Sequence, residues 1–169
     1  MNNKKLALSA LLTSLAIIIP FIVVFKVIIP PFTATIGAHM PMFIAMLLGP
    51  EVAVMVGLGS ALGFFLNLGP IVGARALMHV PVGLIGAKLI KKGMPFWMVA
   101  LITAPLHGLL EIIVVLPFVQ LDAYNLLIVT GVGTVIHHCI DAFVAYIIIN
   151  VLEKSPAASM LNSAIEKKN

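Results

Sequence analysis

Charge is what this sequence lacks. Only 9% of its 169 residues are Asp, Glu, Lys or Arg, whereas a soluble domain carries about a quarter. A water-facing surface cannot be assembled from so few. A single cysteine, Cys139, excludes an intramolecular disulfide framework and paired-thiol chemistry. No Ser-centred elbow, no glycine-lysine phosphate loop and no HExxH run is present. The chain is therefore not expected to be an enzyme, to hold a metal or cofactor, or to hydrolyse ATP by itself. Its net charge of +4 comes from lysines gathered at the two ends and in one connection. That pattern reads as membrane topology and argues against nucleic-acid binding.

Apolar residues make up 62% of the chain and the mean hydropathy is +1.19. With about 20 apolar residues per crossing, the length suits five or six helices in one compact bundle with short connections. The basic start at Lys4 and Lys5 is followed by an apolar run that outlasts a signal-peptide core, so it reads as a first membrane helix.

The predicted segments run from Leu6 to Ile29, Ala38 to Leu48, Glu51 to Leu66, Ile71 to Ile90, Met94 to Val119 and Ala123 to Leu152. Pro30-Pro31, Gly49-Pro50, Asn67 to Pro70, Lys91 to Gly93 and Gln120 to Asp122 stop them. The stretch PPFTATIGAH is predicted to be an ordered loop or re-entrant cap, tolerable at the membrane edge only under protein cover.

Six crossings put both termini on one side. Starting from the cytoplasm, the inner connections hold nearly all the lysines, while PPFTATIG, NLGP and VQLD hold none. A five-helix count would place Lys88, Lys91 and Lys92 opposite the N-terminal lysines. The sequence therefore predicts an all-α integral membrane protein of six transmembrane helices. Residues 1–152 form the bundle, and 153–169 a polar cytoplasmic tail. Lys26 is the exception, placed near the outer end of the first helix, where a long side chain can snorkel.

Small residues recur at helical spacing at Gly59 and Gly63, at Gly69 and Gly73, and at Ala100, Ala104 and Gly108. Such stripes let helix backbones approach closely. Ala7, Ala10 and Ser14 form a similar narrow face on the first helix, at the end of the bundle where fewer internal neighbours are needed.

An ionisable group in hydrocarbon must be paired, hydrated or used, which singles out His39, Arg75, His79, His107, Glu111, His137, His138 and Asp141. Arg75 lies about one and a half turns below NLGP and Glu111 about two turns below VQLD, so both fall in the outer half. Arg75 can pair with Glu111 in a purely structural role, or its planar fork can take an anionic solute. Arg75 and His79, like His107 and Glu111, are four residues apart and share a helix face. His39, His79, His107 and Glu111 could supply metal ligands by type alone, without a tight metal motif. His138 and Asp141, three apart, could support one another, with a proton relay as the rival. Glu51 is predicted to cap its helix, and Trp97 to sit in the interfacial aromatic belt.

The stretches IIPPFTATIGAHMPMFIAMLLGPEVAVMVGLGSALGFFL, GPIVGARALMHVPVGLIGA and the opening LALSALLTSLAIIIP carry a resemblance. From Leu6 to about Ile148 the chain resembles the substrate-binding S components of energy-coupling factor vitamin transporters. It is most similar to the niacin-specific group around His39-x-Pro41 and Arg75-Ala-Leu-x-His79.

The resemblance implies a six-helix, multi-pass protein of the bacterial plasma membrane with an extracellular-side pocket closed by the first loop, here PFTATIG. It implies docking through Ala7, Ala10 and Ser14 on a transmembrane T component joined to two cytoplasmic ATPases. Import would proceed by toppling of the S component in the bilayer. The solute-facing set it suggests is Arg75, His79, His39, Glu111 and His107, with Phe32, Thr33, Thr35, Phe64 and Asn67. Nicotinate suits this set, since Arg75 matches its carboxylate and Phe32 or Phe64 its ring. Pantothenate or biotin would also present a carboxylate to Arg75. A non-transport membrane scaffold and an intramembrane enzyme are the readings from other classes.

Overall fold

The computed structural model describes residues 1–118, 120 and 122–155. Its elements in chain order are α1 (Asn3–Ile22), strands β1 (Lys26–Ile29) and β2 (Phe32–Thr35), then α2 (Met40–Leu48) and α3 (Pro50–Leu68). They are followed by α4 (Pro70–Leu77), α5 (His79–Lys91), α6 (Phe96–Val115), a π-helical stretch (Asn125–Val132) and α7 (Gly133–Glu153). The predicted tail from 156 onward, and Val119 and Leu121 of the VQLD connection, lie outside the described residues.

The bundle is inside-out relative to a soluble protein. Leu11, Leu15, Ile18, Leu58, Leu62, Leu101, Leu109 and Ile147 point outward, while Arg75, His107, Glu111, His138 and Asp141 are buried. Only a hydrocarbon solvent makes both choices favourable at once. Among the described residues five helical stretches are long and apolar enough to cross a membrane: Asn3–Ile22, Pro50–Leu68, Pro70–Lys91, Phe96–Val115 and Asn125–Glu153.

The largest departure from the sequence reading lies between α1 and α2. Helix α1 stops at Ile22, and the residues expected to complete it form the antiparallel hairpin β1–β2, registered Lys26 to Thr35 and Ile29 to Phe32. Val23, Val24, Val27, Ile28 and Ile29 are β-branched and favour extended backbone, and Pro30-Pro31 supplies the turn. Pairing the strands satisfies backbone groups that a loop at this depth would leave bare. The sequence reading of a wholly α-helical chain is corrected to that extent. Lys26 belongs to β1, and its Nζ donates to the Pro20 carbonyl at 2.5 Å.

The predicted second crossing is a nine-residue helix. At about 1.5 Å per residue it spans roughly half the hydrocarbon core. It is nonetheless central: Met42, Phe43, Ala45 and Met46 are almost wholly buried, enclosed by α1, α3, α5 and α7. The predicted fourth segment is broken at Met78. Pro81 has no amide to give the Leu77 carbonyl and its ring crowds that turn, so the break sets His79 facing inward.

Close helix contacts rest on glycine. A Cβ on Gly63 would overlap the Ile17 backbone, and one on Gly59 would meet Thr13, so α1 and α3 touch nearly backbone to backbone. Gly57 allows the same approach between α3 and Val80 of α5. At the far end of this interface the Lys5 ammonium donates to Glu51 at 2.5 Å. Glu51 stands in the first turn of α3, whose N-cap is Gly49, with its carboxylate on a backbone amide of that turn, and it also ties α3 to α1.

Candidate functional site

Arg75 is delivered by the short helix α4 and is 3% exposed. Its Nε and Nη2 both donate to Glu111 Oε2 on α6, at 2.9 and 2.6 Å. Nη1 donates to the Pro31 carbonyl at 2.7 Å and to Thr33 Oγ1 at 3.2 Å, and Nη2 also reaches the Thr33 carbonyl at 3.3 Å. The guanidinium carbon lies 5.4 Å from the centroid of the Phe32 ring. One side chain thus joins α4, α6 and the hairpin turn. The pairing with Glu111 that the sequence left open is formed. Thr134 Oγ1 adds a third donor to the same Glu111 oxygen at 2.5 Å.

A second anchor holds the return from the hairpin into α2. Asp141 of α7 accepts from the Gly37 amide at 2.8 Å, the His39 amide at 3.1 Å and His39 Nδ1 at 2.8 Å. Gly37 adopts a φ of 78° there, a left-handed turn that glycine makes without side-chain strain. His137, one turn before Asp141, lies 3.2 Å from its Oδ2 and donates through Nε2 to the Thr35 carbonyl at 3.0 Å. The predicted support of Asp141 by His138 is not formed. Residues three apart diverge enough on α7 that Asp141 meets the hairpin side, while His138 contacts Thr103 and His107 of α6.

Thr33, Thr35, His39, Phe64, Arg75, His79 and Glu111 line one cavity, joined by Ala38, Val72, Ala76 and His137. The free space among them is about 20 Å³, room for about one water. His107 stands behind this wall, with its ring centroid 4.9 Å from that of His39 and 5.2 Å from that of His79. His79 is held by Ser60 Oγ at 2.8 Å. Phe32 faces the guanidinium and a lateral groove shared with Ile136 and Ile140. Asn67 is not part of this cavity; its amide donates to the Pro20 carbonyl at 2.9 Å, satisfying a group left open where α1 ends. Ala7, Ala10 and Ser14 are exposed on α1, opposite its buried Ser9, Leu12 and Ala16.

Sequence reasoning missed the part played by His137, Asp141, Thr134 and Ser60. A signal for the first two was available: they are four apart, so they share a face of α7 that can clamp a neighbouring segment. Nothing in the local sequence of Thr134 or Ser60 marks them, because their partners come from distant helices.

No family model matches the chain and no solved structure matches it. The chain is 34% identical over 168 residues to the niacin transporter NiaX of Lactococcus lactis subsp. cremoris (strain MG1363), covering 90% of this chain and 76% of that protein. Likeness of this extent places the chain in the niacin-transporter family to which NiaX belongs.

Proposed function

We propose that this chain is the membrane-embedded, niacin-binding S component of an energy-coupling factor importer, working with a transmembrane T component and two cytoplasmic ATPases. The observation that carries the reading is the buried Arg75–Glu111 pair closed under the hairpin, in a chain related to a niacin transporter.

In this reading the chain crosses a bacterial plasma membrane six times, the hairpin and α2 together making the second crossing. Both termini are cytoplasmic. Support comes from the end of the bundle where Lys5 meets Glu51, Gly86 of α5 meets Met46 of α2, and Phe96 stacks on Tyr146. Those contacts gather Lys4, Lys5, Lys88, Lys91, Lys92 and Lys154 near one face, which positive-inside assigns to the cytoplasm. The hairpin closes the opposite, extracellular end.

Every guanidinium nitrogen of Arg75 already has an oxygen partner. Nicotinate therefore binds by exchange: its carboxylate takes the donors now given to Pro31 and Thr33, and Glu111 keeps the remaining edge neutralised. The pyridine ring cannot enter the present free space, so the hairpin lifts and re-forms over it, with Phe32 or Phe64 against the ring. Thr33, Thr35, His39, His79 and His107 complete the proposed solute wall. Asn67, held by Pro20, acts on it only through the α1–α3 packing. Ala7, Ala10 and Ser14 form the face for the T component.

Mass spectrometry of small molecules released from gently purified protein tests this reading. Niacin at about one per chain supports it. Stoichiometric pantothenate or biotin would reassign the solute, and no bound or bindable vitamin would favour a scaffold.

A further inference from the structure

Behind the cavity, His39, His107 and His138 come together from α6, α7 and the start of α2, each 2% exposed or less. Three of their nitrogens, one from each ring, lie within 4.8 Å of one another. One assignment of the ring protons, the one that follows the shortest contacts, turns lone pairs inward. The Thr103 hydroxyl directs its proton to the Val99 carbonyl at 2.8 Å, so its oxygen accepts from His138 Nε2 at 3.2 Å, and His138 Nδ1 is left with a lone pair. His39 gives its Nδ1 proton to the Asp141 carboxylate at 2.8 Å, which leaves a lone pair on Nε2.

His107 is the decisive residue. Its Nδ1 faces His138 Nδ1 at 3.2 Å, while its Nε2 has no hydrogen-bond partner among the described residues and lies 3.5 Å from Glu111 Oε1. A neutral imidazole has one proton. Placed on Nε2, it faces the carboxylate and leaves two lone pairs opposed between His107 and His138. Placed on Nδ1, it leaves a buried lone pair against the Glu111 carboxylate. With His138 in that tautomer, either arrangement sets a buried lone pair against another electron-rich atom, an opposition that a bound cation relieves.

We propose that His39, His107 and His138 bind a divalent transition-metal ion of the zinc class in the interior of the bundle. Three imidazoles are an established zinc ligand set. Two nitrogens bound to a tetrahedral zinc are about 3.3 Å apart, close to the 3.2 Å between His107 and His138; rotation of the His39 ring closes the wider separations. In His39 and His138 the other nitrogen is hydrogen-bonded to an oxygen, of Asp141 and of Thr103, and in His107 it lies 3.5 Å from Glu111 Oε1; such outer-shell oxygens fix tautomer and orientation in metal sites. The charge also fits, since Asp141 and Glu111 outnumber Arg75 by one around these imidazoles. By residue type His39 and His107 were already candidate ligands in the sequence, whereas His138 was not, because the three come from separated segments and form no short motif. The site shares His39 and His107 with the proposed solute wall but uses neither Arg75 nor a bound solute, and its test needs no nicotinate.

The test is cobalt binding to the full chain, purified without a polyhistidine tag and stripped with chelator. About one Co²⁺ per folded chain is expected, with the visible absorption of a low-coordinate site and nitrogen couplings from imidazole. Thr103→Val, which leaves all three ligands in place, should weaken cobalt binding about 10–100-fold. His138→Leu should abolish it, and His137→Gln should retain it. Folding of each variant is checked by its thermal transition and elution in detergent. Absence of stoichiometric cobalt from folded wild type overturns the proposal, as does undiminished binding by folded His138→Leu. The wild-type spectrum and the Thr103→Val titration decide the matter even where His138→Leu does not fold. In that design a proton on His107, the other way to supply the missing charge, appears as wild type without cobalt.

Discussion

Arg75 and Glu111 meet through two hydrogen bonds to a single carboxylate oxygen, 2.9 Å from Nε and 2.6 Å from Nη2, with both side chains nearly sealed from the surroundings. An ion pair so placed is expensive to break from one side only, because the survivor is left charged and alone.

Glu111→Ala should therefore destabilise the protein by about 3–5 kcal/mol, read as a fall in thermal midpoint in detergent. The paired replacement Arg75→Met with Glu111→Leu should recover most of that loss, since neither partner of the pair is left charged and alone. The same double variant should lose nicotinate binding, which separates the stability of the pair from its use.

The α1–α3 seam should be as sensitive as its geometry suggests. A methyl group at Gly63 has nowhere to go against the Ile17 backbone. Gly63→Ala is expected to cost about 1–3 kcal/mol, measured by thermal or chemical unfolding. Gly93→Ala makes a useful contrast: no atom of the described residues lies within 4 Å of its added Cβ, and φ is 91°, so its cost of roughly 1–2 kcal/mol would come from backbone strain.

Legibility differed sharply between parts of this molecule. The inside-out distribution of charge, the helix stops at Gly49-Pro50 and Gly69-Pro70, and the meeting of Arg75 with Glu111 could all be read from spacing and hydropathy. The hairpin could not. Val23 to Ile29 is as hydrophobic as a helix end, and only its β-branching, a weak preference easily overruled by context, distinguishes the two. Asp141 was visible as a charge in a membrane helix, but its partners Gly37 and His39 are about 100 residues away, and no local pattern joins them. Asn67 misled for the opposite reason: it stands at the outer end of α3 as a pocket residue would, yet its amide serves the end of α1.

Asp141 offers a test of the hairpin as a lid. Asp141→Ala removes the acceptor of two backbone amides and of His39 Nδ1, each worth about 1–3 kcal/mol when left bare. Faster nicotinate release is expected, together with faster amide exchange at Gly37 and His39. Unchanged release with loosened amides would show that the hairpin does not gate the solute.

The exposed face of α1 separates binding from transport. Ala10→Leu and Ser14→Leu add bulk at positions left exposed by the described residues. Nicotinate binding by the isolated chain should stay within a factor of two or so of wild type. Uptake by cells carrying the T component and ATPases should fall at least about tenfold, the equivalent of about 1.4 kcal/mol of lost docking.

The most direct test titrates nicotinate onto the purified wild-type chain and onto the Arg75→Met, Glu111→Leu chain, after thermal unfolding has established that the two are comparably stable. The chamber under the hairpin predicts one saturable site in wild type and at least about a hundredfold weaker binding in the variant, a loss of about 2.7 kcal/mol. Equal affinity in the two chains would contradict it.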